Sequence, residues 1–139
     1  MSEMSRIELE FHDSKIVSVE LAGEEIRIAL EAYVHRWSKA TGAWKGEGWS
    51  QPALISLTGT LDEAQRHGPA ELDSGEVRAG EIVHSHLVPL PFRASGEATL
   101  RLELREGDVL DFAGRDLRIE TTGEGRMIEA LPDAFKPVG

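Results

Sequence analysis

The chain has 139 residues, of which 40% are hydrophobic and 29% are charged; this is the size of one domain with enough apolar side chains for a core. Its 25 acidic and 15 basic residues give a formal net charge of −10, which disfavours nucleic acids and anionic membranes as partners. Cysteine is absent, so disulfides and thiolate chemistry are excluded. The sequence shows neither a signal peptide nor an apolar run of roughly 20 residues, so we expect a cytoplasmic protein.

Alternation of apolar and polar residues with a period of two dominates the sequence, as expected for half-buried strands. The connections are mostly short and rich in glycine, which is typical of antiparallel sandwiches and barrels. We predict a single all-β domain over residues 1–139, built as an antiparallel β-sandwich or flattened β-barrel of eight to nine strands. The predicted strands are 6–11, 15–22, 25–35, 53–60, 81–88, 97–104, 108–113, 116–121 and 126–131.

The first hairpin is predicted to turn at Gly23-Glu24, which places position i opposite position 47 − i. This register puts apolar side chains opposite one another on the core face and an opposite-charge pair on the other face. The apolar pairs are Leu21 with Ile26, Val19 with Ile28 and Val17 with Leu30, and the charged pair is Glu20 with Arg27. At the open end, the same register places His12 opposite His35, beside a turn at residues 11–14.

The last third of the chain, residues 97–131, is predicted to form a four-stranded meander. Its turns are placed at residues 105–107, at Gly114-Arg115 and at residues 122–125. The expected core pairs are Leu102 with Leu110, Leu100 with Phe112, Phe112 with Leu117, Leu110 with Ile119, Ile119 with Ile128 and Leu117 with Ala130. The expected solvated row is Arg101, Asp111, Arg118 and Glu129.

Two windows, residues 52–61 and 82–92, contain no Asp, Glu, Lys or Arg and are predicted to be covered on both faces. Between them, residues 62–81 carry six acidic and two basic residues. A capping-box pattern over residues 60–63 predicts at most one short helix there. The rest of that segment is predicted to be a mobile acidic loop.

The connection at residues 36–51 contains all three tryptophans, spaced by glycines, and carries Arg36, Lys39 and Lys45 against Glu47. Tryptophans in such a loop can contact a ligand or a protein partner. Alternatively, they form a small core as the loop folds back over an open barrel end. Trp37 and Trp44 are the candidate contact residues, whereas Trp49 borders the charge-free strand and is the candidate structural residue.

Four polar residues, His12, Asp13, Tyr33 and His35, are predicted to lie at the same end as this connection. A histidine beside an aspartate can act as a general base, and convergent polar groups beside indoles are typical of small-molecule sites. The alternative interpretation of His12 and Asp13 is a solvent-facing turn.

The segment His84-Ser85-His86 would place two imidazoles on one face of a strand. Two histidines at this spacing are candidate ligands for a divalent metal ion. The alternative is that both are neutral and hydrogen-bonded inside the barrel.

These patterns favour a non-enzymatic binding protein that uses residues 36–51 and the adjacent histidines to hold a small molecule or a basic protein. The alternative hypothesis is a metal-dependent enzyme or metal-binding β-barrel built on His84 and His86. A divalent metal is the one cofactor for which the sequence offers ligands.

Overall fold

The computed structural model describes residues 4–40 and 42–132 of the chain. In this part the secondary structure is almost entirely β, and no helix is long and apolar enough to cross a membrane. The strands are β1 (Met4–Ala22), β2 (Glu25–Ala40), β3 (Ala43–Thr58), β4 (Ala70–Ala79), β5 (Ile82–Ser85), β6 (Leu87–Pro89), β7 (Phe92–Leu104), β8 (Val109–Thr121) and β9 (Arg126–Ala130), with one 3₁₀ turn at Glu63–Gln65.

Six strands close into an antiparallel barrel in the order β1-β2-β3-β8-β7-β4. The ring closes where β4 pairs with β1, Lys15 opposite Glu71 and Ile16 opposite Ala70. The short strands lie outside the ring: β5 pairs with β4, β6 with β1 and β9 with β3. Closure leaves these six strands without a free edge over the barrel itself, and it confirms the predicted all-β barrel architecture.

The interior of the barrel is filled mainly by aliphatic side chains from alternate positions of the six strands. Within the first charge-free window, Ile55, Ser56 and Leu57 are all buried, as predicted, whereas Pro52, Thr58 and Thr60 are exposed. The prediction for the second window is wrong at Ile82 and Val83, which are 52% and 44% exposed. These two residues belong to β5, which has only one neighbour along the sheet.

The predicted register of the first hairpin is confirmed near its turn, where Leu21 pairs with Ile26, Val19 with Ile28 and Glu20 with Arg27. The prediction for Val17 is wrong, because a bulge pairs Ile16 with Leu30 instead. The extra residue leaves Val17 outside the alternation, so it is 49% exposed. Leu21, at the hairpin end, is also 37% exposed.

A second irregularity replaces the turn predicted at residues 11–14. The chain continues as one strand, and Asp13 takes a left-handed backbone conformation with φ of 73°. The Ser14 hydroxyl donates to the Glu10 carbonyl at 2.6 Å and accepts from the Tyr33 N–H at 2.9 Å. These bonds hold the irregular segment against β2. Because several residues of β1 are looped out here, Glu8 rather than His12 lies opposite His35, and the predicted His12–His35 pair is wrong.

In the last third of the chain, the pairs Leu100–Phe112 and Leu102–Leu110 are confirmed. The turn at Gly114-Arg115 is wrong, since β8 runs through it and pairs with β3, Ile119 opposite Ile55. A Cβ on Gly114 would lie 2.2 Å from the Thr58 carbonyl oxygen. The glycine therefore permits a close approach of two strands rather than a reversal of the chain.

The four-stranded meander is wrong, because β9 pairs with β3 instead of β8; the predicted pairs of Phe112 and Ile119 with later residues therefore do not form. The charged row is consequently divided. Arg101 and Asp111 lie 3.9 Å apart on an exposed face, whereas the Arg118 guanidinium approaches Glu25 at 3.4 Å.

The acidic segment contains the whole of β4, which the sequence reasoning missed. A bulge between Leu72 and Ser74 interrupts its alternation, so that Leu72, Gly75, Val77 and Ala79 are the buried positions. The short helix is a 3₁₀ turn at Glu63–Gln65, but the predicted capping box is wrong by two residues, because the N-cap is Asp62, whose backbone N–H donates to the Gln65 side chain at 2.7 Å.

Candidate functional site

Residues 36–51 form the end of a long hairpin and not a loop, so the predicted connection is wrong. β2 and β3 pair without interruption from Glu25 opposite Thr58 to Ala40 opposite Ala43. Beyond the closed barrel, this hairpin and the start of β1 continue as a sheet, with β6 and β9 at its edges. We call this part, residues 4–10, 33–40 and 43–51, the hairpin extension.

The outer face of the hairpin extension carries aromatic rings that cover glycines. A Cβ on Gly46 would lie 2.5 Å from the Trp37 ring, and one on Gly48 would lie 2.2 Å from the Tyr33 hydroxyl. Only glycine leaves room for these rings. Trp37 is therefore buried to 2% exposure, although it is directed away from the barrel interior.

Trp44 lies on this same outer face, opposite Lys39 in the pairing of β2 with β3. Its ring is 5.6 Å from the Arg6 guanidinium carbon and 5.5 Å from the Lys39 amine. Both distances allow cation–π attraction. The indole of Trp44 thus lies beside two cations near the turn of the hairpin extension.

Tyr33 and His35, both predicted site residues, also lie together on the outer face. Their rings pack edge to face with centroids 5.4 Å apart. The Tyr33 hydroxyl donates to Glu129 Oε1 at 2.5 Å, and His35 Nε2 lies 3.2 Å from Glu10 Oε2. Two carboxylates, from β1 and β9, therefore flank a tyrosine and a buried histidine from β2.

Burial and the neighbouring Glu129 carboxylate raise the pKa of Tyr33 well above its ordinary value of about 10. Since the folded state retains the phenolic proton to higher pH than the unfolded state, stability is expected to fall as pH rises above about 10. The chain has one tyrosine, so absorbance near 295 nm reports its ionisation. We expect no tyrosinate in the folded protein at pH 10–11, and ordinary titration in denaturant.

The variant Glu129→Gln separates the causes of this shift. It removes the negative charge and leaves the burial of the ring, so the midpoint is expected to fall part of the way toward about 10. If Tyr33 in the folded wild-type protein titrates with a midpoint near its ordinary pKa of about 10, the Tyr33–Glu129 contact does not persist in solution.

A groove of about 350 Å³ lies beside Trp37 on the hairpin extension. Most of the side chains that line the groove lie on the face of the sheet that continues the barrel interior. Ile7 lies opposite Arg36, and Arg36 lies opposite Glu47, so these three side chains share that face. Ser5, Ser38 and Lys45 form the next row of the same face. The lining residues are Ser5, Arg6, Ile7, Arg36, Trp37, Ser38, Lys45 and Glu47.

Arg36 forms the floor of this groove. Its guanidinium carbon lies 4.1 Å from the centroid of the Trp49 ring, and its Nη2 donates to Gln51 Oε1 at 2.5 Å. Trp49 in turn packs against the barrel core and donates its indole N–H to Glu47 at 3.2 Å. The Arg36 Nε is buried without a hydrogen-bond partner, an unusual state for a charged donor.

His12 and Asp13 lie apart from this groove, in the irregular segment of β1. His12 Nδ1 is 3.0 Å from the Asp73 carbonyl oxygen, and the Asp13 carboxylate lies 3.7 Å from the Arg105 guanidinium. Both side chains are exposed. Tyr33, His35, Trp37 and Trp44 thus all lie on the outer face of the hairpin extension, and of these four Trp37 lines the groove, whereas His12 and Asp13 lie in the irregular segment of β1.

The expected placement of His84 and His86 on one face of one strand is wrong. β5 ends at Ser85, and His86 has a left-handed backbone with φ of 71° that redirects the chain into β6. The His84 ring packs edge to face against Phe92, with centroids 5.4 Å apart. Within residues 4–40 and 42–132, neither histidine belongs to a group of three side chains close enough to share a metal ion.

The sequence reasoning did not select Arg36, Lys45, Glu10 and Glu129 as site residues. The positive charge of residues 36–51 was visible in the sequence and pointed to the first two. The carboxylates of Glu10 and Glu129 come from strands whose pairing depends on a bulge and on the unexpected position of β9. Comparison of the chain with protein-family models, with curated proteins and with solved structures found no match.

Proposed function

We propose that this protein is a non-enzymatic binding protein whose groove on the hairpin extension holds the anionic group of a small molecule. The observation that carries the proposal is the buried Arg36 Nε, a charged donor without a partner on a residue that lines the groove. A carboxylate or phosphate oxygen is the acceptor that would satisfy it.

The other groups of the groove suit the same ligand. Lys45 supplies further positive charge, and the hydroxyls of Ser5 and Ser38 can donate hydrogen bonds. Ile7, which is 38% exposed, supplies apolar surface for the rest of the molecule. The residues that line the groove are therefore mostly polar, with Arg36 and Lys45 as cationic groups for an anion, and its volume of about 350 Å³ lies in the range of small-molecule sites.

The charge distribution favours a small anion over a basic protein at this place. The chain as a whole carries −10, whereas the hairpin extension carries Arg6, Arg36, Lys39 and Lys45 against Glu8, Glu10 and Glu47. A basic partner would meet these cations at close range. We also propose a cytoplasmic location, as expected from the sequence.

All three tryptophans lie on the hairpin extension, so tryptophan emission is the direct measurement. We expect inorganic phosphate or benzoate to change the emission saturably, and neutral benzyl alcohol to have little effect. Arg36→Met and Lys45→Met are each expected to weaken the response at least about tenfold, because each removes a charge-assisted hydrogen bond. Added salt should weaken binding further.

Arg27→Met is the matched control, because Arg27 lies on the same strand but outside the groove and contacts Glu25 at 2.9 Å. It should leave the response unchanged. The absence of a saturable response to either anion at millimolar concentration, or equal binding by both groove variants and the wild type, would refute the proposal. Arg36→Met also removes packing on Trp49. If the Arg36→Met variant does not fold, the Lys45→Met variant tests the proposal, because Lys45 is exposed.

A further inference from the structure

We propose that His67, Glu106 and Asp108 form a binding site for a divalent transition-metal ion, separate from the groove on the hairpin extension. One ligand atom from each residue lies within 4.8 Å of the other two. In a tetrahedral site with bond lengths of about 2.0–2.2 Å, the donors are about 3.3–3.6 Å apart. Rotation of the exposed Glu106 and Asp108 carboxylates closes the remaining distance and brings all three donors to one ion.

A hydrogen bond at one ring nitrogen of His67 leaves the other ring nitrogen available to bind a metal ion. Nδ1 lies 2.9 Å from the Gly68 carbonyl oxygen, which can only accept, so Nδ1 carries the proton. In the neutral ring, the lone pair is then on Nε2, the atom 3.6 Å from Glu106 Oε1. A backbone carbonyl that fixes the tautomer in this way is the usual support of a metal-binding histidine.

Main-chain hydrogen bonds position all three residues. The His67 carbonyl accepts from the Val19 N–H at 3.2 Å, which anchors the segment before β4 to β1. In the turn between β7 and β8, the Asp108 carbonyl accepts from the Leu104 N–H at 2.8 Å, and Gly107 has a φ of 110°. Glu106 and Asp108 thus flank a glycine in a fixed turn that faces His67.

The charge at this place favours a cation. The two arginines next to the site in sequence have other partners: Arg105 lies 3.0 Å from Glu71 and 3.7 Å from Asp13, and Arg66 lies 4.0 Å from Glu63. Within the described residues, Glu106 has no ion pair with a lysine or arginine, and its carboxylate lies 3.6 Å from His67 Nε2. Two carboxylates beside a neutral imidazole would balance the charge of a divalent ion.

One imidazole nitrogen and two carboxylate oxygens are a mixed ligand set. Ca²⁺ and Mg²⁺ prefer oxygen ligands throughout, whereas Zn²⁺ accepts nitrogen and oxygen together. We therefore assign Zn²⁺ as the preferred ion, with water in the remaining positions. Such an ion would join the β3–β4 connection to the β7–β8 turn.

Calorimetric titration of the metal-free protein with Zn²⁺ tests the site, with Co²⁺ absorption as a spectroscopic signature of nitrogen coordination. We expect one equivalent of Zn²⁺ to bind and to raise the Tm. His67→Gln and Glu106→Gln should each weaken binding at least about tenfold and abolish the rise in Tm. Asp108→Asn should act in the same direction.

His12→Gln is the matched control, since His12 also lies 3.8 Å from two carboxylates but meets each of them with a different ring nitrogen. It should bind Zn²⁺ like the wild type, and so should His84→Ala. Binding that survives His67→Gln, binding that His84→Ala abolishes, or the absence of a stoichiometric equivalent would each overturn the assignment. None of these results bears on the groove, whose ligand is measured by tryptophan emission.

Discussion

Val19→Asp is expected to lower the free energy of unfolding by about 3–5 kcal/mol, because it buries a charge without a partner. Val19 is 6% exposed and lies opposite Ile28 inside the barrel. An aspartate placed there would lie in the hydrophobic core of the barrel. Urea unfolding, with the slope of the transition compared between variants, measures the change.

Val17→Asp is the decisive control, since it introduces the same charge on the same strand only two residues away. The bulge leaves Val17 exposed, so this variant should change stability by less than about 0.5 kcal/mol. A regular strand would give both substitutions a similar cost. Two equally destabilised variants would therefore show that the bulge is absent in solution.

Gly75→Ala is expected to destabilise the barrel by about 1–3 kcal/mol, through overpacking against Phe11. A Cβ at Gly75 would lie 2.5–2.7 Å from the Phe11 ring, which is fully buried and cannot move aside cheaply. In the absence of that ring, alanine in a strand would be favourable by roughly 0.5–1 kcal/mol. A loss of stability in Gly75→Ala therefore indicates that Gly75 of β4 packs against Phe11 of β1, whereas a gain indicates that it does not.

The double variant Phe11→Ala/Gly75→Ala isolates this contact. Its cost should be smaller than the sum of the two single costs, because the methyl group occupies space that the ring has left. Gly68→Ala is the control, since no atom lies within 4 Å of a Cβ there. Strict additivity of the two substitutions would mean that Phe11 does not pack on Gly75.

The period-two pattern was sufficient to predict an antiparallel all-β fold, because it records which side chains must face the core. It also fixed local pairings with short turns, such as Val19 with Ile28 and Leu100 with Phe112. What it could not show was where one strand ends. Segments 108–113 and 116–121 read as two strands, but tertiary pairing with β3 keeps β8 continuous through Gly114.

Bulges explain most of the remaining errors. Each bulge shifts the alternation by one residue, so a register extrapolated past it fails, as it did for Val17 and His12. A bulge between Leu72 and Ser74 likewise interrupts the alternation in β4, so the sequence pattern does not predict this strand. Long-range pairing was equally out of reach, because the alternation within β9 does not say which strand lies beside it.

For the candidate site, the sequence predicts that Tyr33, His35, Trp37 and Trp44 lie near one another, and in the structure all four lie on one hairpin. Of these four residues, Trp37 lines the groove. The glycines between the tryptophans favour a loop in the sequence, but that interpretation is wrong. In the structure, Gly46 and Gly48 are strand residues that make room for Trp37 and Tyr33, and a lone glycine carries no indication of the ring that covers it.

The uninterrupted pairing of β2 and β3 also limits how this protein can change in length. Residues added in matched numbers on both sides of the Gly42 turn would lengthen the hairpin and leave every pair nearer the barrel in place. A residue added to one strand alone would create a bulge and turn the following side chains to the opposite face. The distal rows can therefore vary by balanced insertion while Ile28 and Ile55 stay in the core. Unbalanced insertions are tolerated only where a bulge already exists.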